Sequence, residues 1–398
     1  AVSLIRPEAA GVTVTEGDLR FVRGLTTDEV YVGQASSIER IDAPVRDEFA
    51  AVLASLLAPC YEMDGEEVRR VRWRVAHVAL SALIRPMGAQ ANRVRVMRDR
   101  LRRLRRGGEL EALWREPICP RRARNTRHAE RDEALTEAQR SERMVAARAT
   151  RLVHAGEPGR GRAALERTGA LGQIRPADVM EVGAHGEVVR AQVGTVAAEM
   201  FEKHPSASEL DAALGGITAD ALLQDAAVGS AGVGLREADL VALVEAAFGD
   251  VARFTRYVQR LARLSMPGAD LVRFEHVQAL VQAGHVAVLR SFVLLVAQGR
   301  VPAEARPYVY GGRLVAPAKP GGGAHRPLGA GVTWRRLAAG FLASCYGGDF
   351  GERLGPTQLG VGVSRGVEIF ASTVRLALEE NPRWVVVKVD FRNAFNEV

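Results

Sequence analysis

In "RWVVVKVDFRNAFNEV" a mostly apolar, β-branched run from Trp384 to Val389 ends in Asp390. Such a run predicts a central strand, covered on at least one face. A carboxylate at a strand exit is a hard oxygen donor on a rigid support, the kind magnesium takes. The plainer alternative is a surface Asp closing a strand, with Phe395 in the core. Upstream, "YGGRLVAPAKPGGGAHRPLGAG" places Lys319 and Arg326 on either side of a glycine turn. It reads as short strand, Gly/Pro turn and second short strand, a hairpin; two exposed cations on a surface hairpin are its bland form. A third cluster, "RVRVMRDRLRRLRR", carries Arg93, Arg95, Arg98, Arg100, Arg102, Arg103, Arg105 and Arg106 along one expected helix, ended by Gly107-Gly108. Counterion release makes such a face a phosphate-binding surface; a solvated helix face is the equal alternative.

The segment Asp390 to Phe395 resembles the first palm motif of reverse transcriptases, Asp-x-x-x-x-Phe/Tyr. That resemblance implies that Asp390 and the backbone carbonyl of Phe391 bind magnesium. Two such ions serve nucleotidyl transfer. It also implies that Phe395 lies under the sugar and excludes a 2′-hydroxyl. "RLVAPAKPGGGAHRPLGAGVTWRRLAA" resembles the fingers hairpin of the same family, which places Lys319 and Arg326 on the triphosphate of an incoming dNTP. Arg335 and Arg336 in the following helix would contact the template backbone, a solvated helix face being equally open for them. "LGPTQLGVGVSRGVEIFASTVRLAL" resembles the linking motif, a Gln-x-Gly turn before a helix, with Gln358 and Gly360 at the matching positions.

"GSAGVGLREADLVALV" resembles the N-terminal extension in the enzymes of non-LTR retrotransposons and group II introns, where a glycine loop, here Gly232 and Gly234, lies near the template. The prolines usual in that loop are missing. "EKHP" at 202–205 resembles sequence ahead of the domain in non-LTR elements. The resemblance spans roughly Gly229 to Val398 and is to the RNA-directed DNA polymerase of non-LTR retrotransposons, with a group II intron maturase as a sub-alternative. It implies RNA template, RNA–DNA hybrid and dNTP as partners, two Mg2+ ions, and an intracellular setting, nuclear or in a cytoplasmic ribonucleoprotein. The family's Ser-Gln-Gly and Tyr-x-Asp-Asp motifs do not occur, and the sequence has no Asp-Asp pair. One carboxylate cannot hold two magnesium ions in catalytic geometry, so the chain reads as truncated and is not expected to polymerise alone. A reading of a different class is a non-catalytic, arginine-rich helical RNA-binding protein.

Composition bounds these readings. The 398 residues are 47% hydrophobic and 25% charged, near the globular average, which excludes a wholly disordered or fibrous chain. The net charge of +7 favours a polyanionic partner. Nearly all of the positive charge is arginine: the lysines are Lys203, Lys319 and Lys388, and two of them fall inside the motifs above. Cys60, Cys119 and Cys345 form no CxxC pair, which argues against a disulfide framework or zinc ribbon. No signal peptide is evident, and the most apolar stretch, about 286–297, is interrupted by Arg290 and too short to span a bilayer. No membrane partner is expected.

The elements that must position these residues read as follows. Residues 1–45 read as an irregular lead-in. Helices are expected at 45–58, 66–84, 236–264, 271–298, 334–343 and 367–380. The fold class is α+β: helical through the first two-thirds, then incomplete right-hand polymerase fingers and palm with a small antiparallel sheet. Three regions follow: an arginine-rich helical region 1–205, a helical extension 206–300, and fingers with the start of the palm, 301–398. The catalytic strand would lack its neighbours, leaving an apolar edge prone to aggregation.

Overall fold

The computed structural model describes residues 11–31, 37–61, 65–87, 91–116, 146, 237–315, 328–354, 358–360 and 362–387. They are mainly helical: α1 (Glu16–Gly24), α2 (Thr27–Tyr31), α3 (Arg46–Leu57), α4 (Glu66–Leu83), α5 (Arg93–Arg106), α6 (Leu110–Trp114), α7 (Glu237–Gly249), α8 (Val251–Gln259), α9 (Phe274–Gln282), α10 (Val286–Ala297), α11 (Arg306–Tyr310), α12 (Thr333–Leu354) and α13 (Gly366–Glu380). Strand pairing among the described residues is one antiparallel ladder, β1 (Gly312–Val315) with β2 (Leu328–Gly331). The chain divides into two compact units, Ala1–Met200 with Phe248–Ala338, and Phe201–Ala247 with Ala339–Val398.

The first unit is built around α4, whose face from Val71 to Leu83 is buried almost continuously. Its core is an aromatic column. Trp334 meets Phe292 edge-on at 5.0 Å, and Phe292 stacks on Trp73 at 5.0 Å. Trp73 stacks on His77 at 5.4 Å, His77 meets the edge of Tyr31 at 5.0 Å, and Tyr31 stacks on Tyr308 at 5.4 Å. Aromatic pairs at these spacings add about 0.5–1.5 kcal/mol each beyond the area they bury. Residues 31–77 and 292–334, remote in sequence, therefore share one core. The buried Arg74 fastens the same seam, with its guanidinium 3.2 Å from Glu304 and on the carbonyl of Val22.

The described residues of the lead-in include two helices, α1 and α2. Thr15 and Asp18 form a reciprocal capping box that starts α1. The Asp18 carboxylate also accepts from the backbone N–H groups of Gly108 (2.7 Å) and Leu110 (3.0 Å), so one side chain caps α1 and ties it to the loop before α6. The two long expected helices are each broken. Gly249 ends α7 and Asp250 caps α8 by accepting from Arg253 N–H. Gly284, at φ 85°, separates α9 from α10.

The arginine helix runs over Arg93–Arg106 as expected, capped by Asn92 and ended at Gly107, φ 79°. A Cβ at Gly107 would sit 2.8 Å from the Thr13 carbonyl, so glycine is required there on two counts.

The expected buried strand is a correction. Trp384–Val387 is not strand, and Trp384, Val385, Val386 and Val387 are 62%, 83%, 56% and 77% exposed. A lone β-branched run has no ladder to join: the one ladder among the described residues belongs to the hairpin. No described helix is long and apolar enough to cross a membrane.

Candidate functional site

The base of the hairpin is the best-anchored part of the candidate site. The register pairs Gly312 with Gly331 and Val315 with Leu328, which brings the two ends of segment 316–327 side by side. That segment, with Lys319 and Arg326, lies outside the described residues. Below the ladder, Val332, Thr333 and Trp334 are buried in the first unit. Thr333 Oγ1 donates to the Val272 carbonyl at 2.5 Å. The Cα of Gly268 lies so close to Val332 that a Cβ would collide with its backbone. Tyr310, which precedes β1, donates from its hydroxyl to the Val296 carbonyl at 2.7 Å.

Arg335 and Arg336, expected on a template backbone or on a solvated helix face, donate to backbone carbonyls of this chain. Arg335 donates to the carbonyls of Tyr310 and Gly311, bracing the entry to β1. Arg336 donates to the Met266 carbonyl at 2.6 Å and lies over the Phe274 ring, 4.6 Å from its centroid. Burial lowers the Arg336 pKa, and Asp270 acts in the opposite direction. Both guanidiniums are thus anchors of the helix that follows the hairpin, a role for which backbone carbonyls left open at loop ends are the natural acceptors.

In the second unit, Gln358 folds onto its own turn, its Oε1 accepting from the N–H of Gly360. Arg365 follows in the left-handed region (φ 58°), and then α13. The loop is built from close backbone approaches. A Cβ on Gly362 (φ 73°) would run into the Gly347 carbonyl, and one on Gly366 into the Leu359 carbonyl. A Cβ on Gly351 would lie 2.9 Å from the Gly362 carbonyl. The glycines of "YGGDFG" in α12 are the signal for this docking. Sequence reasoning missed it.

No protein family, curated protein or solved structure matches this chain. The site therefore rests on its own residues.

The positions expected to carry the chemistry, Asp390, Phe391 and Phe395, lie outside the described residues, as do Gly232 and Gly234. Magnesium would find oxygen donors of the right kind in the Asp390 carboxylate and Phe391 carbonyl, but not enough of them for two ions. Among the described residues no group of three His, Cys, Asp or Glu side chains could hold a metal ion.

The arginine helix is the clearest surprise. Six of its eight arginines pair with carboxylates. Arg93 meets Asp42 at 3.2 Å, Arg98 meets Glu48 at 3.4 Å, and Arg105 meets Glu48 at 3.6 Å. Arg100 and Arg103 share Glu116 at 3.1 and 2.6 Å, and Arg103 and Arg106 share Glu109 at 2.5 and 3.3 Å. Arg100 also donates to the carbonyls of Leu83 and Arg85 at the end of α4. Arg95 and Arg102 are exposed and carry no such partner among the described residues. This helix is mostly a lattice of internal ion pairs.

Proposed function

We propose that this chain is the template- and nucleotide-holding part of an RNA-directed DNA polymerase of non-LTR type, comprising fingers and the first palm motif. In this reading Lys319 and Arg326 neutralise the triphosphate of an incoming dNTP. Phe395 rejects the ribonucleotide by bulk. Asp390 and the Phe391 carbonyl are donors to the metal. Magnesium, when bound in a complete donor set, offsets the charge that develops in phosphoryl transfer.

The observation that supports this most is the mounting of the hairpin. An antiparallel ladder closes the segment bearing both cations, and its base is fixed by Thr333, Trp334 and Arg335 to a helical core. A ligand clamp needs that rigidity, since charged groups that must be ordered on binding lose affinity. The competing reading, a non-catalytic RNA-binding protein using its arginine helix, is weakened by the pairing of six of those arginines.

The test is binding by the whole chain. A labelled RNA–DNA hybrid with a recessed 3′ end should bind and should then retain the complementary dNTP in preference to the others. Lys319→Ala and Arg326→Ala should each weaken dNTP retention by roughly tenfold or more, the loss expected for a charge-assisted hydrogen bond, while hybrid affinity holds. Equal retention of all four dNTPs, or none, would reject the polymerase reading.

A further inference from the structure

Several exposed arginines of this chain have their carboxylate one helical turn away. Arg70 meets Glu67 at 2.6 Å, Arg115 meets Glu111 at 2.8 Å, and Arg375 meets Glu379 at 3.0 Å. The helix α8 is built the other way. Its residues, VARFTRYVQ, include no acid. Arg253, Arg256 and, at its C-terminal cap, Arg260 are all exposed. Their spacing of three and four residues puts them on one face. Asp250 caps the far end, where it accepts from the Arg253 N–H. Arg256 and Arg260 have no carboxylate partner among the described residues.

Like charges three or four residues apart destabilise a helix. The helix dipole favours cations in the last turn, which suits Arg256 and Arg260, but not Arg253 in the first. What holds α8 in place is its other face. Phe254 and Val258 are fully buried, and the helix packs against α9 and α10. Glu275 of α9 accepts from the Leu264 N–H and not from an arginine of α8. A helix that lies in a membrane surface needs an exposed apolar face. In α8 that face belongs to the core, so the cationic row is what meets solvent.

We infer that α8 docks the phosphodiester backbone of a nucleic-acid strand, with Arg256 and Arg260 each neutralising a phosphate and Arg253 extending the row. Four residues of helix place Arg256 and Arg260 about 6 Å apart along the axis, on the scale of successive phosphates in a strand. Each phosphate met releases a counterion, and the repulsion within the row is relieved at the same time. Tyr257 stands half-buried at the edge of the row, an aromatic surface of the kind on which bases stack. Segment 260–268 runs from α8 to the base of the hairpin, where Gly268 meets Val332 and Met266 accepts from Arg336. The row thus supplies the unpaired cations that α5, with most of its arginines in ion pairs, does not. The inference is independent of the hairpin cations.

The test is equilibrium binding of the full chain to a fluorescein-labelled oligouridylate over a series of salt concentrations. Arg256→Gln with Arg260→Gln should weaken binding roughly tenfold and reduce the slope of log affinity against log salt by about 1.4, two contacts at about 0.7 each for a single strand. Arg256→Lys with Arg260→Lys keeps both charges and should restore most of the wild-type affinity. Neither pair should lower the melting temperature, because both side chains face solvent. Arg95→Gln with Arg102→Gln, which removes two exposed arginines of α5, should leave binding nearly unchanged. The readout contains no dNTP, so this surface and the hairpin proposal fail separately. Absence of oligouridylate binding, or an unchanged salt slope in the glutamine pair at α8, would overturn the inference. So would an equal loss in the α5 pair, or a loss seen on phosphatidylserine vesicles and not on the strand.

Discussion

His77 and His276 are both buried in the first unit and both held neutral by that burial. His77 donates from Nδ1 to the Trp73 carbonyl at 2.8 Å, and burial drives its pKa down to about 4. His276 donates from Nε2 to the Ile38 carbonyl, accepts at Nδ1 from Arg273 N–H, and falls to about 3. Asp270 is buried too, and burial pushes it the other way, up to about 7. Between pH 4 and 6.5 the unfolded chain carries a proton on each histidine that the folded chain does not, while the folded chain keeps one on Asp270 that the unfolded chain has lost. The unfolded state thus binds one more proton net. Stability should rise with pH across that window by about 1.4 kcal/mol per unit from these three groups. Asp270→Asn removes the opposing contribution, so its pH dependence should be steeper, near twice that slope, and its advantage over the wild type should be greatest above pH 7. Denaturant titrations from pH 4 to 8 measure this. An unchanged slope in Asp270→Asn would show that Asp270 does not stay protonated in the fold.

At the scale of elements, the arginine helix shows why composition alone misleads. Its bounds were readable from the Asn cap, the spacing of Met97, Leu101 and Leu104, and the Gly107 stop. Its purpose was not, because the carboxylates that quench it come from Asp42, Glu48, Glu109 and Glu116, in other elements. Arg100 is 5% exposed at its side chain and bridges the end of α4 to Glu116. Arg100→Ala should cost about 1–3 kcal/mol, because it takes the donor away from the Leu83 and Arg85 carbonyls while Glu116 keeps Arg103, whereas Arg95→Ala should stay within about 0.5 kcal/mol, as for an exposed site. Melting curves of the two variants test this; equal effects would remove the distinction. The glycine loop before α13 makes a second case. Gly366→Ala should destabilise that loop by about 1–3 kcal/mol through overpacking against Leu359, read as faster hydrogen exchange across α13. Unaltered exchange would mean that the approach is relaxed in solution.

For the whole molecule, the helices were largely legible from periodicity, whereas their breaks at Gly249 and Gly284 and the association of residues 11–116 with 248–338 were not. Nothing local in the sequence pairs Tyr31 with Tyr308 or Trp73 with Phe292; the column exists only once both segments fold together. A chain lacking residues 1–116 should therefore lose its near-ultraviolet dichroism, since Phe292 and Trp334 would lose their aromatic neighbours. Retention of the signal would contradict a shared core. The second unit is the reverse case. Val367, Ile369, Phe370 and Leu376 of α13 are 76%, 44%, 58% and 56% exposed, and Trp384–Val387 follow them, more apolar surface than a monomer ordinarily shows. Trp384→Ser with Val386→Ser should raise the concentration at which light scattering detects self-association.

The site residues on which the functional reading turns were legible as a motif order and not as a geometry. That order makes one chemical claim: the cations at 319 and 326 hold the triphosphate of a nucleotide. Equilibrium titration of the full chain, bound to an RNA–DNA hybrid, with the complementary dNTP and with the matching nucleoside measures it directly. Saturable binding of the dNTP, weakened about tenfold or more in Lys319→Ala, and much weaker binding of the nucleoside are the expected results. Equal binding of nucleoside and dNTP would contradict it.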